Sequence, residues 1–229
     1  MGEQGRVVAI EGNTGCGKTE VLHWLSTFPG VITCEEPVDT WRHFSGENLF
    51  NLRYANPKRW SFAFQNLVQL SRLKMYGDKD DDPKAVRFIE RSLHSNRRIR
   101  GGKLIQFSLN VCRYCFLEMA KEMKHFHEIE FEILAEWFKY LENEPRTRLK
   151  LIVYLRTSPD VALERIKKRN RFEEQNVTID QLQNIHNKYE SWIANGASGF
   201  KFVIIDADND AETVQRKIMS HLKQRKILQ

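Results

Sequence analysis

A chain of 229 residues, 41% of them hydrophobic and 29% charged, is long enough to bury one sizeable α/β core and has the composition of an ordinary globular protein. No run of about 18 apolar residues occurs, so no helix is expected to span a membrane. The net charge of +6 raises nucleic acid as a partner, but much of the excess lies in two segments, residues 167–171 and 217–226, rather than along one aromatic-interleaved surface. A phosphate-handling lid and a basic terminal helix account for it as well, and no nucleic-acid partner is expected. Residues 1–5 show neither a signal-peptide pattern nor an Arg/Ser-rich transit segment, and Arg6 stands where N-myristoylation requires Ser or Thr. The four cysteines, Cys16, Cys34, Cys112 and Cys115, suit a reducing compartment. The last two have the spacing of half a zinc site, with no second pair to complete it. A cytoplasmic or nuclear location is expected.

In chain order, the apolar run 7–10 reads as a buried parallel strand. Directly after it stands Gly12-Asn13-Thr14-Gly15-Cys16-Gly17-Lys18-Thr19, which fits the phosphate-cradling pattern G-x-x-x-x-G-K-[ST]. Glycines let the backbone wrap until several N–H groups point at phosphate oxygens. Lys18 adds charge for the terminal phosphates, Thr19 a hydroxyl for Mg²⁺, and the helix over 18–27 its positive end. Binding of a nucleoside triphosphate follows. A second strand over 31–34 ends in Glu35-Glu36-Pro37, which places Glu36 at the carboxyl edge where open α/β sheets bind ligands.

The spacing predicts a helix from Pro57 to about Tyr76 with Trp60, Phe64, Leu67 and Val68 on its apolar face. Gln65, Val68 and Arg72 share one stripe of it. The Gln65 amide offers a donor and an acceptor to the edge of a base, the alternative being a polar residue at the rim of the core. Residues 77–83 read as a polar turn, and 86–89 as a third strand delivering Glu90-Arg91-Ser92 to the same edge. The segment 97–112 interrupts what should be a helix, and helical character resumes over 113–126 and 128–142. A strand over 151–155 leads into a helix opened by Thr157-Ser158-Pro159-Asp160, which ends in the basic cluster Arg165, Lys167, Lys168, Arg169, Arg171 and then Glu174. A helix over 179–194, a turn over 195–199, a last strand over 202–205, the loop Asp206-Ala207-Asp208 and a terminal helix from 211 complete the chain. Strands alternate with helices, so the fold class is α/β, a parallel sheet of about five strands wrapped by helices as one domain over 1–229.

Phosphoryl transfer needs a base near the acceptor hydroxyl, a pocket for the acceptor and cations over the transferring group. Glu36, the Phe64-Gln65 helix and the Arg165, Arg169, Arg171 lid supply these parts, which favours a small-molecule kinase over a switch or motor. The chain resembles the deoxynucleoside kinase family in 11–19, Glu36-Pro37-Val38 with Trp41, Tyr54 with Pro57, Phe64-Gln65, Glu90-Arg91-Ser92, 113–116, 154–157, 165–174 and Asp206-Ala207-Asp208. These segments span nearly the whole chain in order.

The resemblance implies a P-loop kinase fold with an Arg-rich lid, and ATP-dependent phosphorylation of the 5′-hydroxyl of deoxynucleosides. Glu36 is similar to the carboxylate that takes the hydroxyl proton, and Glu90 to the acidic partner of Mg²⁺, with both kept as catalytic candidates beside Arg91. Tyr54 and Glu174 resemble the pair that grips the 3′-hydroxyl. Gln65 would read the base, Phe64 and Phe116 would pack on it, and Trp41 would close the pocket near the sugar. Arg165, Arg169 and Arg171 match the lid, and Asp206 to Asp208 the border of the donor adenine. A homodimer is implied too. Arg72 and Asn96 stand where thymidine-preferring members carry Met-like and Ala-like residues, whereas members acting on deoxycytidine and deoxyguanosine carry Arg and Asp. Deoxycytidine and purine deoxynucleosides are therefore expected over thymidine. A second departure is the insertion near 97–112, a lineage-specific loop or a retained intron. A nucleoside monophosphate kinase and a catalytically silent nucleotide-binding protein are the rival readings.

Overall fold

The computed structural model describes residues 6–77, 82, 84–93, 124, 125, 127–175, 177–194 and 200–228. Asn96, Phe116, the insertion near 97–112, the helix expected over 113–126 apart from Lys124 and His125, and the turn over 195–199 lie outside the described residues.

Five strands, β1 (Val7–Gly12), β2 (Val31–Cys34), β3 (Val86–Glu90), β4 (Leu149–Arg156) and β5 (Phe202–Asp206), pair in parallel in the order β2-β3-β1-β4-β5. The described helices are α1 (Lys18–Leu25), α2 (Val38–Arg42), α3 (Leu49–Ala55), α4 (Pro57–Met75), α5 (Glu128–Glu142), α6 (Pro159–Arg169), α7 (Ile179–Ala194) and α8 (Ala211–Gln224). None is long and apolar enough to cross a membrane. β1 is apolar at successive positions because each face of the sheet is covered. Val8 and Ile10 point into a core completed by Leu22 and Leu25 of α1 and by Ile218 and Leu222 of α8. Val7 and Ala9 point the other way, to Met75 of α4 and to Phe131, Leu134 and Phe138 of α5.

The chain leaves β1 for β2 at the sheet edge, returns to β3, and then crosses to β4 on the far side of β1. The strand order thus reverses at β1, and the crevice outside the carboxyl ends there is where such sheets bind ligands. The register brings Ile10 beside Glu90 and Gly12 beside Leu155, so the first loop and the Glu90-Arg91 turn leave the sheet at one level.

Two differences from the sequence expectation bear on the site. Helices α2 and α3, of five and seven residues, were not expected. Elements this short hold too few turns for a 3.6-residue period to show, although the Asn48 side chain caps α3 by accepting from Asn51 N–H at 2.8 Å. The basic helix stops at Arg169, earlier than expected, because Asn170 takes the left-handed conformation at φ 52°. Asn tolerates that conformation better than most residues and commonly ends helices. A short 3-10 turn, Phe172–Glu174, follows.

Candidate active site

The phosphate loop is built by its glycines. Gly12 has φ 151°, and a Cβ there would stand 2.5 Å from Cys16 Sγ and 2.7 Å from the Leu155 carbonyl oxygen. Gly15 has φ 80°, and a Cβ would stand 2.6 Å from the Ala162 carbonyl oxygen, so this glycine lets the loop lie against α6. Asn13 Nδ2 donates to the Leu182 carbonyl of α7 at 2.9 Å, which ties the loop to a second helix. Burial pushes the Cys16 thiol up, leaving it protonated and a packing residue of the loop. Gly17, in the left-handed region, caps α1. Lys18 is only 5% exposed, and its Nζ donates to the Asn13 carbonyl at 2.8 Å and lies 3.8 Å from Glu90 Oε1.

Thr19 Oγ1 donates to Glu90 Oε2 at 3.1 Å. A hydroxyl and one carboxylate are hard oxygen donors that fit Mg²⁺, an ion that keeps waters and substrate phosphates in its shell. Among the described residues no cluster of three or more His, Cys, Asp or Glu side chains offers another metal site. Thr19 and Glu90 could hold the ion, which would neutralise charge on the triphosphate.

Facing this loop, Glu36 follows β2 and Arg91 follows β3. Arg91 Nη1 donates to Glu36 Oε2 at 2.8 Å, and Arg72 Nη2 from α4 donates to Oε1. Burial alone would raise the Glu36 carboxyl, but the charges of Arg91 and Arg72 outweigh it and hold the pKa down at about 2. Glu36 is thus ionised throughout the neutral range. Arg91 sits at φ 60°, a conformation that strains a non-glycine residue and here turns its guanidinium toward Glu36.

Helix α4 brings in the rest of this side. Phe64 packs edge-on to Trp41 at 5.5 Å and stacks on Phe50 at 5.5 Å. Trp41 Nε1 donates to Ser71 Oγ at 3.0 Å, which fixes the indole against α4. Gln65 is 6% exposed and lies on the wall of the cavity on this side. An amide on a cavity wall can both donate to and accept from a molecule bound there.

One cavity of about 530 Å³ joins the two sides. Its wall includes Thr14, Gly15, Lys18 and Thr19 from the loop, with Glu36, Glu90, Arg91, Trp41, Tyr54, Phe64, Gln65, Val68 and Arg72 from the opposite side, and Arg169, Arg171 and Glu174. Arg169 clasps Glu174 through two nitrogens, with Nη2 2.8 Å from both carboxylate oxygens, and Arg171 lies 3.9 Å away. Other described residues of the expected set do not line the cavity. Arg165 donates to the Ala207 carbonyl at 2.8 Å, fastening α6 to the loop after β5. In that loop Asp208 accepts from Ser158 N–H at 2.9 Å and Asp206 accepts from Asp208 N–H at 3.1 Å, so both carboxylates shape the turn. Gly12, Asn13, Cys16 and Gly17 form the loop itself without lining the cavity.

The wall also holds Phe50, Arg53, Gln181 and Ile185, which the sequence reading did not select. Arg53 lies over the Tyr54 ring at 4.8 Å and the Phe64 ring at 5.4 Å. Its signal was its place directly before Tyr54. Gln181 and Ile185 lie on one face of α7, where only an amphipathic period marks them.

A triphosphate loop and a separately built pocket for a second molecule, open to one another, are the parts of a two-substrate phosphotransferase on a P-loop scaffold. The deoxynucleoside kinase family model matches residues 8–227, and the chain belongs to that family. Over 215 residues it is 33% identical to thymidine kinase 2, mitochondrial, of Homo sapiens, an alignment covering 92% of this chain and 74% of that protein. It is 32% identical over 216 residues to the deoxycytidine kinase of Bos taurus, covering 81% and 74%. A probable deoxycytidine kinase of fowlpox virus is 29% identical over 226 residues, covering 96% of this chain and 88% of its own. The chain is accordingly a kinase enzyme with ATP as its phosphate donor.

Proposed function

We propose that this kinase transfers the γ-phosphoryl group of ATP, with Mg²⁺ held by Thr19 and Glu90, to the 5′-hydroxyl of a deoxynucleoside, and that it prefers deoxycytidine and purine deoxynucleosides to thymidine. The observation that carries the reading is Glu36, ionised between Arg72 and Arg91 and lining the same cavity as Lys18 and Thr19.

In this reading the triphosphate lies along the loop, with Lys18 on its terminal phosphates and Arg169 and Arg171 over the transferring group. Glu36 accepts the proton of the 5′-hydroxyl, and Arg91 keeps that carboxylate and the attacking oxygen in place. Glu90, bonded to Thr19, serves the metal, so the base is Glu36. Tyr54 and Glu174 bind the 3′-hydroxyl, Gln65 reads the base edge, and Trp41, Phe64 and Val68 enclose the ring and sugar. Asn96 and Phe116 belong to this acceptor pocket as proposals from the sequence alone. Arg165 acts on the donor by holding α6 to the Asp206-Ala207-Asp208 loop, which borders the adenine.

Arg72 supports the substrate preference, since a buried guanidinium at that corner removes the room a thymine methyl would need. Comparing kcat/KM for the four deoxynucleosides tests it. Deoxycytidine or a purine should lead, and a clear thymidine preference overturns the assignment. The likeness to thymidine kinase 2 favours that second reading. Absence of any deoxynucleoside-dependent ADP release would instead point to a catalytically impaired nucleotide-binding protein.

Assembly as a homodimer belongs to the same proposal. On α5, Ile129, Ile133, Trp137 and Tyr140 are exposed along one face, and Leu70 is exposed on α4. A second copy would cover these residues. Light scattering should give a dimer mass, and Trp137→Glu should give a monomer. A monomeric wild type would overturn the dimer. A reducing compartment, the cytosol or nucleus, is proposed on the free Cys16 and Cys34 thiols.

A further inference from the structure

Glu11 has no direct place in the chemistry above, yet it is a carboxylate with 0% exposure near the end of strand β1, next to the phosphate loop. Its Oε1 accepts from both Ser92 N–H and Ser92 O–H, each at 2.8 Å. Tyr189 of α7 brings its hydroxyl to 3.1 Å from Glu11 Oε2 and 3.1 Å from the Gly12 carbonyl, and accepts from Gly12 N–H at 3.3 Å. The Tyr189 ring is itself fixed, stacked on Tyr154 at 5.0 Å. One buried side chain thus carries hydrogen bonds to the residue after Arg91 and, through Tyr189, to the first residue of the loop.

Burying a carboxylate is a poor way to gain stability, because apolar residues of similar size usually serve as well or better. What such a group can supply is direction. Arg91 occupies a left-handed conformation that persists only where its surroundings hold it. It is pinned on one side by its own N–H donating to the Ile10 carbonyl at 3.0 Å, and on the other by Glu11 holding Ser92. Both anchors are adjacent residues of β1, the strand that also launches the phosphate loop.

We propose that Glu11 is a positioning residue for phosphoryl transfer, and that with Tyr189 and Ser92 it sets the register between the phosphate loop and the Arg91-Glu36 pair. It touches neither substrate. The inference rests on the assignment of Glu36 and Arg91 to the acceptor hydroxyl. Its consequence is that donor and acceptor each bind normally without this network but meet out of line. Misplacement by about 1 Å can cost about 100-fold in rate.

The test is single-turnover kinetics per folded active site, with both substrates saturating and their affinities measured separately. Glu11→Met, which keeps volume but accepts no hydrogen bond, should lose about 10- to 100-fold in rate with both affinities within about twofold of wild type. Glu11→Gln retains an acceptor for Ser92 and should recover most of that loss. Tyr189→Phe should lose about 10-fold, and the double variant Glu11→Met with Tyr189→Phe should be no slower than Glu11→Met, as expected of residues acting as one unit. An unchanged rate in Glu11→Met, a loss confined to affinity, or fully multiplicative losses in the double variant would each overturn the proposal. If Glu11→Met does not fold, Tyr189→Phe decides it, since an unchanged rate there breaks the link to Gly12. Glu36→Gln is measured alongside. If it keeps the wild-type rate while Glu11→Met loses it, the acceptor assignment fails and the register stands.

Discussion

The two halves of the cavity are made in different ways. The donor half is a backbone structure, in which glycines at positions 12 and 15 allow approaches that a single Cβ would close, and Lys18 is directed by the Asn13 carbonyl in the same loop. The acceptor half is a side-chain structure. Glu36, Arg72 and Arg91 arrive from three separate elements, and the aromatic group of Trp41, Phe50 and Phe64 comes from α2, α3 and α4. A backbone site binds what all nucleoside triphosphates share, whereas a side-chain site can be retuned one residue at a time. Specificity should therefore change by substitution in the acceptor half alone.

Lys18→Ala strikes the donor half hardest. It should lower kcat by about 100- to 1000-fold, the scale of losing one preorganised charge on a developing anion, while deoxynucleoside affinity measured by calorimetry stays within about twofold. A matching loss of nucleoside affinity would show that the halves are not separable.

Glu36→Gln comes next, with a loss of about 100-fold in kcat and little change in ATP affinity. Arg72→Met should shift the kcat/KM ratio of thymidine to deoxycytidine upward by about 10-fold, without altering the KM for ATP. Gly15→Ala should weaken ATP binding and lower the Tm, because its Cβ meets the backbone of α6 rather than a movable side chain.

The smallest effect is on pH dependence. Glu36 has a folded pKa of about 2, below its ordinary 4.5, so its pairing stabilises the fold fully above the ordinary value and progressively less as pH falls toward 2. The Tm gap between wild type and Arg72→Met should then narrow over that interval. A gap that holds constant across it would mean that Arg72 stabilises the fold by packing rather than by charge.

The contrast between the halves also explains what the sequence disclosed. The phosphate loop is contiguous, its glycine spacing is set by backbone geometry, and the apolar runs beside it mark buried strands, so β1 to β5 and the loop were legible. Gln65 and Arg72 were legible because one helix carries both. Phe50 and Arg53 were missed because α3 is too short to show a period. The tie between Glu11 and Tyr189 was out of reach for a different reason, since it joins residues 178 positions apart and no local pattern encodes such a contact. The end of α6 turned on a single residue, Asn170, whose left-handed conformation separates Arg169 on the helix from Arg171 in the following loop.

The most direct test of the two-halves account is the position of the transferred phosphate. Incubated with ATP, Mg²⁺ and deoxycytidine, the wild-type enzyme should yield the 5′-monophosphate, identified by ³¹P NMR, with one ADP formed per monophosphate and none without the nucleoside. Phosphate at the 3′ position, or ATP consumption that ignores the nucleoside, would contradict the placement of Glu36 and Arg91 at the attacking hydroxyl.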